Sequence, residues 1–214
     1  CFTPLTYAAT GDHIQCTQLL IDAKANLEAQ IEAECTVLML TMYGDHAECA
    51  QALIDGKADV DAVDDVGKTA LMTAASDGST KCGRVLIDAK ANIECKDETG
   101  RTALRLAVLE DHSEFLELLI DAKVDLNAKN NAGQTALMLA AEYNKIECAQ
   151  RLIDAKTNVE SEDNEGRIAL MLAAAKGHTE CVKLLANAST IAAQLPERKR
   201  RRASDASTPQ DERH

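Results

Sequence analysis

Apolar positions along this chain return every 33 residues without insertion or deletion. The leucines Leu5, Leu38, Leu71, Leu104, Leu137 and Leu170 mark the period, and Thr3, Thr36, Thr69, Thr102 and Thr135 precede them, with Ile168 in the sixth place. Within one period, Leu137, Leu139, Ala140 and Ala141 form a short helical stripe with a small-residue face. A polar break from Asn144 to Glu147 follows, and then Cys148, Leu152 and Ile153 form a second stripe. Turn chemistry closes each period, as in Asp97-Glu98-Thr99-Gly100 and Asp163-Asn164-Glu165-Gly166, with glycine supplying positive φ. The pattern predicts a helix, a loop, a second helix and a protruding turn, with helix pairs starting near each threonine and near Ile168. A fixed period of this size means stacked copies of one supersecondary unit.

The helix starts carry capping cues. Thr3-Pro4 reads as a threonine cap with proline at the first helical position. Asp45 with Glu48, Asp111 with Glu114, and Asn144 with Glu147 read as an Asx N-cap and a glutamate at N3 of the second helix.

Three groups of residues carry a family resemblance. Asp97, Gly100, Thr102, Leu104 and Ala107 follow one another in one repeat; Gly177-His178 and Leu184-Leu185 stand in the last; Ala58 to Asp61 and Ala91 to Glu94 supply the closing motif. The sequence resembles the ankyrin repeat over residues 1–190. The resemblance implies an all-α repeat solenoid of helix-loop-helix units with protruding β-hairpin or turn fingers, about six repeats long. Residues 191–214 are expected to be a disordered basic and polar tail. A protein partner is then expected at the finger tips, here Asp65, Val66, Lys68, Glu98, Thr99, Arg101, Asn131, Ala132, Gln134, Asn164, Glu165 and Arg167. On the inner helices the matching positions are Tyr43, Ser76, Asp77, Leu109, Glu110, Glu142, Tyr143 and Lys176. Tyr43, Leu109 and Tyr143 stand out, since large side chains without a core role make hot spots. Lys68, Arg101 and Arg167 are expected as a sparse basic row beside an acidic one.

Where the family ends its second helix with glycine, this chain has Lys24, Lys57, Lys90, Lys123 and Lys156. They are expected at positive φ, at a cost of about 1 kcal/mol against glycine. A cation at a helix C-terminus returns roughly 0.3–1 kcal/mol. The row reads either as a recurrent cap or as a stripe for an acidic partner. Met39, Met72, Met138 and Met171 replace the family's usual histidine and are expected to pack.

The ends of the repeat array should be the least regular. The turn Ile31–Glu34 lacks both the aspartate and the glycine of later turns. Thr41 and Met42 replace alanines in the second repeat, so its helices should pack less closely. The sixth repeat has no finger, as expected of a cap. The opening at Cys1, where a turn glycine is expected, reads as a cut inside a repeat, which leaves open whether a domain stands upstream.

Composition narrows the chemistry. Aromatics are 2% of the chain and Trp is absent, so the core must be aliphatic. Cys16, Cys49, Cys82, Cys148 and Cys181 share one repeat position, with Phe115 in the remaining place. Neighbouring helices stand roughly 8–10 Å apart, too far for disulfide bonding at about 4.4–6.8 Å between Cα atoms. A buried, reduced ladder is expected, which favours an intracellular compartment, cytoplasmic or nuclear. His13, His46 and His178 each precede such a cysteine by three residues. Two ligand types without convergence do not make a zinc site. No phosphate-binding loop, nucleophile elbow or paired-histidine metal helix is present. Neither catalysis, a cofactor nor a metal is expected, and no membrane segment.

The chain carries a net charge of −12, and residues before Ser189 account for −14. An acidic body disfavours nucleic acid and suits a basic or mixed protein partner. The tail reverses sign: Arg198, Lys199, Arg200, Arg201 and Arg202 form a block that resembles a nuclear localisation signal. Ser204 follows Arg201-Arg202-Ala203 and matches a basophilic kinase site; Thr208-Pro209 is a weaker proline-directed one. The reading is a monomeric, non-catalytic protein-interaction module, a scaffold or adaptor. The alternative is a regulatory or targeting domain of a larger enzyme such as a kinase.

Overall fold

A computed structural model describes residues 2–194; the basic block Arg198–Arg202, Ser204 and Thr208 lie outside the described residues. The first helices of the six pairs are α1 (Pro4–Thr10), α3 (Val37–Thr41), α5 (Ala70–Asp77), α7 (Ala103–Leu109), α9 (Ala136–Glu142) and α11 (Ala169–Lys176). Their partners are α2 (Ile14–Asp22), α4 (Ala47–Asp55), α6 (Thr80–Asp88), α8 (Ser113–Asp121), α10 (Ile146–Asp154) and α12 (Thr179–Gln194). Each first helix begins one residue after the periodic threonine or Ile168. The chain forms two compact bodies, Cys1–Val124 and Asp125–His214. In the first, α1, α3, α5 and α7 pack in sequence on one side, and α2, α4, α6 and α8 on the other. In the second, α9 packs on α11 and α10 on α12.

Threonine starts the first helices for a local reason. The hydroxyls of Thr36, Thr69 and Thr135 accept hydrogen bonds from the backbone N–H three residues on, at 3.3–3.4 Å. Thr3 does the same toward Thr6, with Pro4 following. These bonds satisfy donors that a helix start leaves free. Thr102 caps without a side-chain bond, and Ile168 has none to offer.

The Asx residues of the inter-helix loop are not N-caps of the helices that follow them. The N-caps are His46, His112 and Lys145, without side-chain cap bonds. Asp45, Asp111 and Asn144 stand one residue earlier, in the left-handed region at φ 53°, 66° and 56°, as does Asp12 at 56°. Gly78 and Gly177 take the same place in the third and sixth repeats. Asx tolerates this conformation better than other side chains. The position throws the Asp45 carboxylate forward, so that it accepts from the backbone N–H of Cys82 at 2.9 Å. It caps the second helix of the following repeat instead of its own.

All five lysines at the ends of the second helices have positive φ, from 60° at Lys24 to 77° at Lys57. The N–H of each lysine and of the next residue closes on the last helical turn, as Lys90 does on Ile87 and Ala91 on Leu86, both at 3.0 Å. The turn at Ile31–Glu34 is irregular: Ala33 and Glu34 both have positive φ, where each later turn uses one glycine. In the second repeat α3 is only five residues long and passes into a 3₁₀ turn at Met42–Gly44. The Thr41 hydroxyl bonds back to the Leu38 carbonyl at 2.7 Å.

The core is the aliphatic one the composition requires. Leu5, Leu38, Leu71, Leu104 and Leu137 are buried, and so are Met39, Met72 and Met138. Met171, on the last first-helix, is 54% exposed. The ladder positions Cys49, Cys82, Phe115, Cys148 and Cys181 are fully buried. Cys16 is the exception and is exposed, because among the described residues no helix pair covers its face of α2. Burial pushes the Cys82 thiol up to about 12, with the Asp45 carboxylate adding to it. Phe115 fits among cysteines because Gly83 makes room: a Cβ there would meet the Phe115 ring at 2.5 Å.

Candidate functional site

The fingers are built on a recurring Asx turn. Asp64, Asp97, Asn130 and Asp163 each accept, at Oδ1, from the backbone N–H two residues and four residues on, at 2.7–3.1 Å. The backbone N–H of each bonds the carbonyl four residues on, and a glycine three residues on closes the tip. Fingers are tied to their neighbours within a body: Asp65 N–H bonds Ala33 O, Glu98 N–H bonds Val66 O, and Asn164 N–H bonds Ala132 O, each at 3.1 Å. Among the described residues no strand forms, only an isolated bridge between Val63 and Thr69.

Two arginines of the expected basic row belong to this framework. Arg101 Nε donates to Asp97 Oδ2 at 2.7 Å, and Arg167 Nε to Asp163 Oδ2 at 2.9 Å. Burial raises the Asp97 pKa, but the bonds from Arg101 and Thr99 outweigh it and hold the carboxyl below its usual range. Asp163 is also held low, chiefly by the Arg167 backbone N–H and then by its guanidinium. Arg167 also contacts Glu165 at 3.0 Å. Lys68 stands at the same place in its turn, and among the described residues it makes no such clamp. The basic row is therefore two turn braces and one half-buried lysine.

The inner-helix positions divide by exposure. Tyr43 is 60% exposed and Tyr143 55%, each just beyond the last turn of its helix, while Leu109 is half-buried. Asp65, Val66, Asp77, Glu98, Thr99, Glu110 and Lys176 are exposed, and Ser76, Gln134 and Glu142 half-buried. Gln134 Nε2 donates to Glu142 Oε2 at 3.2 Å, which joins a finger to an inner-helix end. Tyr7 was not expected at the surface; it is 67% exposed, and its ring lies 5.4 Å from that of Phe2 at a tilt of 39°. An aromatic on a first helix was the signal that would have found it.

The loop histidines act as braces. His112 Nε2 lies 3.1 Å from the Ser76 carbonyl and His178 Nε2 3.1 Å from that of Glu142, at the ends of preceding inner helices. Ser79 Oγ bonds the Met42 carbonyl in the same way and also Asp77. Tyr43 and Tyr143 are thus displayed from helix ends fixed by the following repeat. Among the described residues no group of three or more His, Cys, Asp or Glu comes together to hold a metal, and no helix is long and apolar enough to cross a membrane.

Comparisons with known proteins agree with this architecture. A family model described as "Ankyrin repeats (3 copies)" matches residues 38–130 and 111–194, and one described as "Ankyrin repeat" matches residues 1–31. Among solved structures, the human ASB11 ankyrin repeat domain is similar at 26% identity and a TM-score of 0.78, covering 87% of this chain and 84% of that one. The ankyrin repeat domain of Bcl-3, described as a unique member of the IkappaB protein family, is similar at 26% identity and a TM-score of 0.82, covering 87% of this chain and 86% of that one. Among curated proteins none matches. Ankyrin repeat domains generally serve as non-catalytic protein-binding modules. The periodic helix pairs, the Asx-turn fingers and the family match over nearly all the described residues place this chain in the ankyrin-repeat family.

Proposed function

We propose that this chain is a non-catalytic interaction module that binds a protein through its finger tips and the exposed ends of its first helices. The observation that carries the reading is the display of Tyr43 and Tyr143. Both are more than half exposed on a chain with few aromatics, at helix ends held by side chains of the following repeat, Ser79 on the Met42 carbonyl and His178 on that of Glu142. A rigid aromatic without a core role loses little entropy on binding and supplies large contact area. The net charge of −14 before the tail adds a preference for basic or mixed surfaces. The body acts as a monomer, within the cytoplasm or nucleus, and the basic block Arg198–Arg202 serves import.

Tyr143→Ala is expected to weaken a captured partner by roughly tenfold or more, the range of an aromatic hot spot. Thermal unfolding should change little, because the side chain is more than half exposed. Equal affinities by titration calorimetry would remove Tyr143 from the surface.

A further inference from the structure

Within each body, successive helix pairs join through recurring contacts. On the second helices, Thr17 Oγ1 lies 3.7 Å from Cys49 Sγ. A Cβ on Gly83 would meet the Phe115 ring at 2.5 Å and the Leu118 side chain at 3.0 Å. The residue just after a ladder position therefore faces the next pair's ladder residue, and at Gly83 also the residue three places beyond it. In the loops, His112 Nε2 and His178 Nε2 reach back to the Ser76 and Glu142 carbonyls, both at 3.1 Å. On the first helices, α1 packs on α3 and α9 on α11.

The first and sixth pairs each leave one half of this contact uncovered among the described residues. On the first pair it is the receiving half. Cys16 is exposed and Leu19 is 69% exposed, at the places where Phe115 and Leu118 are buried. Tyr7 is exposed where Leu106, Leu139 and Leu172 are buried, and His13 is exposed at the place of His112 and His178. The sixth pair leaves the giving half. Met171 and Ala174 are exposed where Met138 and Ala141 are buried, and Val182 is half-buried where Gly83 and Ala149 are buried. Charge also differs between the two faces. From Pro4 to Asp22 the chain has Asp12 and Asp22 and neither lysine nor arginine, whereas α11 and α12 carry Lys176 and Lys183 beside Glu180. That difference eases the approach of two acidic chains at these faces.

We infer that the first helix pair of one copy stacks on the sixth helix pair of a second copy, continuing the contact that joins successive pairs within each body. Val182 of one copy then faces Cys16 and Leu19 of the other, as Gly83 faces Phe115 and Leu118. The Met171 side of α11 packs on α1, and His13 donates to the carbonyl of Ala175, which holds the place of Ser76 and Glu142. The two faces differ, so the contact is head-to-tail and not two-fold. It amounts to one repeat interface, far from the extent of an obligate dimer, so the chain is a monomer when dilute and joins as it is concentrated. The fingers and the rings of Tyr43 and Tyr143 take no part, so this contact and the protein-binding surface succeed or fail separately.

Sedimentation equilibrium of the full chain tests the contact. The weight-average mass should rise between about 10 μM and about 1 mM. Tyr7→Glu and Met171→Glu each place a charge on one face through an exposed side chain, and circular dichroism should show both folded. Each variant alone should associate at least roughly tenfold more weakly. An equimolar mixture should recover the native affinity and stop at two copies, because each variant keeps the face that the other has lost. That recovery cannot come from relief of repulsion, since both variants are more acidic than the native chain. His13→Ala should weaken association several-fold. A native chain that stays monomeric at about 1 mM would overturn the contact. So would a mixture no better than its components. One variant associating like the native chain would replace head-to-tail stacking with a two-fold contact through a single face, and would equally overturn it.

Discussion

Single residues decide where this chain bends, and most of those decisions are backbone ones. Glu34 stands where Gly67, Gly100, Gly133 and Gly166 close the later turns, and it takes a φ of 57° that costs a side chain roughly 1–2 kcal/mol. Glu34→Gly should therefore raise stability by roughly 0.5–1 kcal/mol after the entropy glycine loses on folding, measured by urea unfolding; an unchanged or lower midpoint would show the turn is not strained. Asp97 supplies a pH signature. Its folded pKa is lowered, so the unfolded chain takes up the proton first. Its contribution is complete above the unfolded value of about 3.9 and is lost as pH falls through the lower folded value. Asp97→Asn should flatten the acid limb of the stability curve in that window, while a curve as steep as that of the native chain would assign the acid loss to other groups. Residue types announced these sites well: the lysine row was legible as left-handed from its place after each second helix. The Asx row was misread as N-caps, because an Asx before a helix serves equally as a left-handed residue, and local sequence does not separate the two.

At the scale of elements, the period carried nearly everything. A threonine two residues before the periodic leucine fixed five of the six first-helix starts within one residue, and the period itself fixed the sixth after Ile168. What the period hid was coupling between repeats. Gly83 and Phe115 lie in successive second helices, each looks like an isolated exception in its own repeat, and together they are one packing solution. Gly83→Ala gains about 1 kcal/mol of helix propensity but forces a Cβ into the ring at a cost of typically 1–3 kcal/mol. A net loss is expected in the native background. With Phe115→Cys, which restores the ladder residue, the same Gly83→Ala change should become stabilising. A double-mutant cycle that shows no change of sign would mean the two positions are independent. The exposed Cys16 is the counterpart: ladder membership predicted burial, but burial comes from a neighbouring helix pair and not from the residue's own repeat.

For the whole molecule, sequence and structure agree on a scaffold that displays variable residues from fixed positions. The fold was legible because a repeat states its pattern six times. The candidate surface was legible only as positions: identity at those positions has no period, and Arg101 and Arg167 turned out to brace their own fingers. Binding through the finger tips and inner-helix ends is the central claim, and hydrogen exchange of the free chain against the chain with a captured partner tests it most directly. The account predicts slowed exchange at residues 65–68, 98–101, 131–134 and 164–167 and around Tyr43 and Tyr143, with α4, α6, α8 and α10 unchanged. Slowed exchange confined to those second helices, with the fingers unaffected, would contradict it.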